Sequence, residues 1–342
     1  MSPEDLTLAE TRELLDIALE LKRNPLRYDL AGKTLASVYF NPSLRTRTSF
    51  DVAMYQLGGA TTTLNVGDNT WNLEYRDDVV MDGTSVEHIR EAARVLSRYA
   101  QAIAVRAFPK YTENWEANKK EPVHAGFVRE STVPVINLES SLHHPCQGLA
   151  DILTIREKIG EPAKQPIVIS WGWHVNPLPM AVTNSVFLEA AKAGMEVRLA
   201  HPEGWELDPD IMASARSLAT CAGGSVKVYN DLDSALPGAR AIYFKSWGSI
   251  VNYGKPDVER GAALAHQKRW QLTLDHMKRM DRGIFLHCLP VRRGVEVMAD
   301  VLDSPYSAVI DQAENRLHVQ KALLLAMLLP PRPDPFSLHY NI

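Results

Sequence analysis

The amino-acid sequence predicts an α/β protein built on two mainly parallel sheets. Three observations carry that expectation. Short apolar runs of strand type alternate with stretches of helical period, the pattern of parallel strands covered by helices. The alternation stops at the polar, proline-bearing connection Glu161-Pro-Ala-Lys-Gln-Pro166 and then starts again. The chain has 342 residues, enough for two domains.

Each element can be read in order. Leu8, Leu14, Leu15, Ile17, Ala18 and Leu21 fall at helical spacing and predict a helix over 6–21. Leu35-Ala-Ser-Val-Tyr-Phe40 is a short strand that breaks at Asn41-Pro42. Helical period resumes through Phe50, Ala53, Met54 and Leu57 and stops at Gly58-Gly59. Residues 60–66 read as a strand and 87–99 as a helix with Ile89, Ala92, Val95 and Leu96 on one face. Strands follow at 102–106 and 133–137, then a helix over 145–159 that Gly160 ends. Beyond the connection come a strand at 167–170, a helix at 181–193, a strand at 196–200 and a helix at 208–222. Strands at 225–229, 241–244 and 283–286 complete the second unit. The apolar stretch 317–329 predicts a long helix that packs back on the first domain. The tail Pro330-Pro-Arg-Pro-Asp-Pro335 cannot be helical, because proline lacks the amide donor. The expected division is 1–152, completed by a C-terminal helix at 312–330, then 153–311, then a proline-rich tail at 331–342.

Lys plus Arg number 37 and Asp plus Glu 41, so the formal charge of −4 disfavours a nucleic-acid binder, which carries a basic face. No run of about 18 apolar residues exists, so no membrane-spanning helix is expected. The start, Met-Ser-Pro-Glu-Asp, lacks the basic-then-apolar layout of a secretory signal, and Cys146, Cys221 and Cys288 are too few for a disulfide framework or zinc ribbon. These features predict a cytoplasmic protein. With no GxGxxG and no Walker loop, a dinucleotide or nucleoside-triphosphate enzyme is not expected.

Three motifs carry chemistry. Ser43-Leu-Arg-Thr-Arg-Thr-Ser49 follows a strand and opens a helix, where unpaired N–H groups suit a phosphate. Ser43 and Thr46 add hydroxyl donors, and Arg45 adds a planar fork. The competing reading is an N-cap serine with solvated arginines, and Arg47 can equally pair with a nearby carboxylate. His144-Pro-Cys-Gln147 opens a helix after a strand, where α/β sheets place ligands; a structural histidine is the alternative, and His143 is a bystander. His287-Cys-Leu-Pro-Val-Arg-Arg293 follows a third strand. Its Cys288 and the Leu289 carbonyl can meet an amine and Arg292 a carboxylate, although most free cysteines are small buried hydrophobes.

These motifs in this order, with Arg106 and Glu314-Asn-Arg316, closely resemble the aspartate/ornithine carbamoyltransferase family from about Leu8 to Leu329. The resemblance implies two doubly wound parallel-sheet domains joined by interdomain helices, and carbamoyl transfer from carbamoyl phosphate to an amine without metal or cofactor. It implies that Thr46, Arg106 and His144 stabilise the oxyanion. Ser43, Leu44, Arg45, Thr46, Trp71, Arg106, His144, Pro145, Cys146, Gln147, Cys288, Leu289 and Arg316 would bind carbamoyl phosphate. Homotrimers with shared active sites are implied too, with the Trp71 and Val86 loops reaching into the neighbouring subunit.

Departures from the ornithine pattern resemble the acylornithine branch of arginine biosynthesis. Tyr243-Phe-Lys-Ser-Trp-Gly248 stands where ornithine enzymes carry an Asp-containing segment ending Ser-Met-Gly. Lys245 would repel a free α-ammonium but tolerate an acylated nitrogen, and could bind the α-carboxylate. Glu139, His174, Lys245, Leu289, Arg292 and Val86 are the implied acylornithine contacts. In that branch a proline-rich loop, matched here by Trp173-His-Val-Asn-Pro-Leu-Pro179, forms a trefoil knot, expected around 170–182. Glu296 stands where acetyl-specific members place a carboxylated lysine, so no modified lysine is expected. Val86 falls where they place a glutamate, which makes N-succinylornithine the expected acceptor. The alternatives are N-acetylornithine, ornithine, another amine such as putrescine, and a non-catalytic sensor of carbamoyl phosphate or an amino acid.

Overall fold

The computed structural model describes residues 2–109, 111 and 114–330. The proline-rich tail at 331–342 lies outside the described residues. The first unit runs α1 (Leu8–Arg23), β1 (Thr34–Tyr39), α2 (Arg45–Gln56), β2 (Ala60–Asn65), the two-residue strands β3 (Leu73–Glu74) and β4 (Glu87–His88), α3 (Ile89–Tyr99), β5 (Ala102–Arg106), α4 (Trp115–Asn118), α5 (Pro122–Glu130), β6 (Val135–Glu139) and α6 (Pro145–Ile159). The second runs β7 (Pro166–Trp171), α7 (Ala181–Lys192), β8 (Glu196–Ala200), α8 (Pro209–Ala222), β9 (Ser225–Tyr229), α9 (Leu232–Ala235), β10 (Ala241–Lys245), α10 (Pro256–Leu264), α11 (Leu274–Lys278), β11 (Ile284–Leu286) and α12 (Ala299–Leu302). Helix α13 (Val309–Leu328) then returns to the first unit and packs on α1, α2 and α6.

Both large sheets are parallel throughout, with strand orders β2-β1-β5-β6 and β11-β10-β7-β8-β9. Alternation along β1 divides its side chains between two cores. Ala36 and Val38 pack with Ile89 of α3 and Phe127 of α5, while Leu35 and Tyr39 join the core shared with α1, α2 and α6. Burying strands on both faces leaves no polar alternation, which is why they read as continuous apolar runs.

The structure shifts several expected boundaries. Residues 87–88 pair as a short strand before α3 begins at Ile89, and the strand expected at 133–137 is β6, Val135–Glu139. Helix α6 continues unbroken through 152. The C-terminal helix begins at Val309, well before the apolar stretch that announced it. Its first turns carry Gln312, Asn315 and Arg316, polar yet at most 3% exposed. Helices α4, α5 and α9 to α12 had no counterpart in the sequence pattern. Gly58, at φ +80°, makes the left-handed turn that separates α2 from β2.

Candidate active site

The carboxyl ends of β1, β5 and β6, and those of β10 and β11, open onto one cleft of about 1000 Å³. Each strand order reverses beside it, at β1/β5 in the first sheet and β7/β10 in the second, the positions where open parallel sheets bind ligands. Tyr39, Arg106 and Glu139 stand at the ends of their strands on one wall and Lys245 on the other.

On the first wall, the chain leaves β1 and turns into α2 at Arg45. The Ser43 hydroxyl accepts from the Thr46 N–H at 3.1 Å, so the serine satisfies an amide in the first turn of the helix and also lines the cleft. Arg316, brought by α13, donates to the Thr46 hydroxyl. Arg106 donates to the Glu139 carboxylate, and His144 Nε2 lies 3.8 Å from the same oxygen. Arg47 donates to Asn65 at 3.5 Å, an amide and not the carboxylate considered from sequence. Asn41 and Phe108 exchange two hydrogen bonds, 3.1 and 2.9 Å, which tie the loop before Ser43 to the loop after Arg106.

Arg45, Arg106 and Arg316 thus converge around the single carboxylate of Glu139, a formal excess of two positive charges. Burial and neighbouring guanidiniums pull Arg316 below the usual arginine range. Burial first, then the charges of Arg316, Arg106 and Arg45, push His144 far below an ordinary histidine. It is therefore neutral at pH 7 and able to donate one N–H without carrying charge.

Helix α6 opens directly after His144 and presents Gln147 to the cleft. Gln147 Nε2 donates to Asp151 Oδ1 at 2.7 Å, and Gln312 Nε2 donates to the same oxygen at 2.6 Å. Burial raises the Asp151 carboxyl to about 7, against these amide donors, which lower it. Since the folded value lies above the unfolded one of 3.8, the unfolded chain ionises first and stability falls as pH rises from about 4 to about 7. Asp151→Asn is expected to flatten the dependence in that window by up to about 1.4 kcal/mol per pH unit. Urea denaturation of both proteins from pH 4 to 8 checks this, and parallel curves would contradict it.

On the second wall, Lys245 Nζ donates to the Ser246 carbonyl at 3.2 Å. His287 Nδ1 accepts from the Leu289 N–H at 2.9 Å, which leaves the ring proton on Nε2, 3.6 Å from Glu296 Oε2. Glu296 also accepts from the Arg292 N–H at 3.2 Å. Burial alone would raise its carboxyl, but His287, Lys245 and His174 hold it at about 2. Burial pushes the Cys288 thiol up to about 11, which keeps it protonated and uncharged at neutral pH.

Most expected residues meet here: Ser43, Leu44, Arg45, Thr46, Arg106, Glu139, His144, Gln147, His174, Lys245, Cys288, Leu289, Arg292 and Arg316 all line the cleft. Pro145 and Cys146 do not; they are buried in the first turn of α6. Trp71 and Val86 also lie outside it, 66% and 64% exposed on the connection between β2 and α3. The sequence reading missed Asp151, Gln312, Asn41 and Ser185, whose hydroxyl accepts from the His144 N–H at 2.7 Å. Asp151 had a local signal, four residues beyond Gln147 on one helix face; Ser185 and Gln312 had none.

Two linked parallel-sheet units with an arginine-lined cleft at their carboxyl ends are an architecture that many enzymes share, and the comparisons say which family this one is. The chain matches the carbamoyl-P binding domain of aspartate/ornithine carbamoyltransferases over residues 1–157 and their Asp/Orn binding domain over 179–327. It belongs to the aspartate/ornithine carbamoyltransferase family. It is 42% identical to the N-acetylornithine carbamoyltransferase of Xanthomonas campestris pv. campestris, covering 97% of this chain and 98% of that one. It is 34% identical to the N-succinylornithine carbamoyltransferase of Bacteroides fragilis, covering 95% and 97%. The crystal structure of an acetylornithine transcarbamylase complexed with acetylcitrulline superposes with a TM-score of 0.94 at 41% identity, covering 96% and 99%. A glutamate-to-valine mutant of N-acetyl-L-ornithine transcarbamylase, complexed with carbamyl phosphate and N-succinyl-L-norvaline, superposes at 0.93 with 42% identity, covering 96% and 98%.

Proposed function

We propose that the protein transfers the carbamoyl group of carbamoyl phosphate to the δ-amine of an Nα-acylornithine, with N-succinylornithine preferred. The observation that carries this reading is the cluster of Arg45, Arg106 and Arg316 at the start of α2, whose excess of positive charge calls for a dianion. The phosphate would sit on Ser43, Arg45, Thr46 and the helix N-terminus. Thr46, Arg106 and the neutral His144 would donate to the carbamoyl oxygen, where charge develops as the amine attacks. Gln147 and the carbonyls of Cys288 and Leu289 would hold the carbamoyl NH2. The new C–N bond forms as the C–O bond to phosphate breaks, phosphate keeps the electron pair, and the amine's proton passes to it. Lys245 and Arg292 supply charge for the acceptor's carboxylates, and Glu139 and His174 line the same space. Holding both reactants in one cleft contributes on the order of 7–11 kcal/mol in well-oriented systems.

A steady-state assay with carbamoyl phosphate and N-succinylornithine, N-acetylornithine, ornithine or putrescine tests the reading. Activity is expected with the acylornithines, highest with succinyl. Turnover of ornithine or putrescine above either acylornithine would overturn it. N-acetylornithine is the second reading, favoured by the higher identity to an N-acetylornithine carbamoyltransferase (42%) than to an N-succinylornithine carbamoyltransferase (34%).

Glu296 supplies as an ordinary side chain the carboxylate that a modified lysine would otherwise carry. Trimer assembly belongs to the same proposal: Trp71, Val80, Met81 and Val86 expose apolar surface on one connection, which suits cover by a neighbouring subunit. Sedimentation is expected to give three chains per particle. Trp71→Ala is expected to lower kcat/KM by about tenfold at unchanged mass, as loss of one buried anchor does; a fully active monomer would exclude it. The threading of the chain after about 250 through the loop at 170–182 fits the Trp173 N–H bonding the Trp270 carbonyl and the Gly248 N–H bonding Leu178. Among the described residues no helix is long and apolar enough to cross a membrane, which fits a cytoplasmic setting.

A further inference from the structure

We infer that Asp151 and Gln312 are positioning residues that turn the Gln147 amide and the loop at 287–289 toward the carbamoyl group; the inference rests on the carbamoyltransferase reading. A glutamine amide presents nearly the same shape with its oxygen and nitrogen exchanged, so only its hydrogen-bond partners choose between the two. Asp151 Oδ1 accepts from Nε2 of both Gln147 and Gln312, at 2.7 and 2.6 Å. That oxygen is an acceptor whether or not the other one carries a proton.

Both amides are therefore oriented by one atom. Gln147 Oε1 is turned away from Asp151; it is buried, has no hydrogen-bond partner among the described residues, and belongs to a residue that lines the cleft. It is an acceptor awaiting an N–H donor, which a carbamoyl NH2 is. Gln312 Oε1 accepts from the His287 N–H at 2.9 Å, which anchors the loop bearing Cys288 and Leu289. The two sets of acceptors lie on different units, α6 of the first and the segment after β11 of the second, and α13 bridges them through Gln312. As packing alone, a fully buried carboxyl that makes no ion pair among the described residues is inferior to leucine. What it supplies is orientation.

Acetyl phosphate separates this role from a structural one, because it keeps the phosphate and replaces NH2 with a methyl group. On the whole enzyme, carbamoyl phosphate KM and acetyl phosphate Ki are measured for wild type, Asp151→Leu, Asp151→Asn and the volume-matched Gln312→Met. Asp151→Leu and Gln312→Met are expected to cut the preference for carbamoyl phosphate over acetyl phosphate about tenfold or more while acetyl phosphate Ki moves less than about threefold. Asp151→Asn keeps the accepting oxygen and is expected to retain the preference. If Asp151→Leu does not fold, Gln312→Met decides alone. An unchanged preference in Gln312→Met, or parallel weakening of both ligands, overturns the inference. A wild type that transfers no carbamoyl group and shows no preference removes the carbamoyltransferase reading and the inference with it.

Discussion

Arg106→Ala is expected to lower kcat with carbamoyl phosphate and an acylornithine by about 10²–10³, the usual effect of removing one donor from an oxyanion site. The residue ends β5, lines the cleft and is only 9% exposed, so water cannot replace its guanidinium in the same geometry. The substitution also removes the guanidinium that donates to Glu139, 7% exposed, and leaves Arg45 and Arg316 as the nearby positive charges. Removing one member of a buried pair costs about 3–5 kcal/mol, so the thermal midpoint is expected to fall as well. Pairing Arg106→Ala with Glu139→Gln separates the two effects. The double variant should recover stability, measured by denaturation, while its kcat stays low. Recovery of both together would mean that Arg106 acts only as a partner for Glu139.

Val86→Glu carries the other large effect, a shift in the succinyl-to-acetyl ratio of kcat/KM on the order of 10² toward N-acetylornithine. Two like charges about 4 Å apart repel by roughly 4 kcal/mol at an effective dielectric of about 20. Residual water in the pocket screens part of that, which brings the expectation below the full thousandfold. In the proposed succinyl site valine would present no such charge to a terminal carboxylate, which would then pair with Arg292 or His174. Measuring kcat/KM for both acceptors on wild type and variant decides the matter. A wild type that prefers N-acetylornithine sinks the specificity; a ratio unmoved by the substitution sinks the placement of Val86.

The parallel strands were legible because burial on both faces leaves an uninterrupted apolar run, as in Ala102–Arg106 and Ala241–Lys245. The beginning of α13 was not, since Gln312, Asn315 and Arg316 are buried for their hydrogen bonds and not for their hydrophobicity. Helix α5 was hidden for a steric reason. Gly126, a poor helix former, sits mid-helix where an added Cβ would lie 2.1 Å from Ile89 of α3. In the site, Ser43, Arg45, Thr46, His144 and Gln147 could be read because each belongs to a short motif at a strand-to-helix turn. The Gln312 contact with Asp151 spans 161 residues and leaves no trace in local spacing.

The late position of α13 constrains the order of events as the chain leaves the ribosome. The faces of α1, α2 and α6 that it covers are synthesised long before it, so the nascent first unit holds exposed apolar surface while the whole second unit is being made. Thr46 gains its contact with Arg316 only in the last stage of translation. The proposed carbamoyl phosphate site is therefore incomplete on a partly made chain, and a nascent chain stalled before Val309 is one that chaperones would hold.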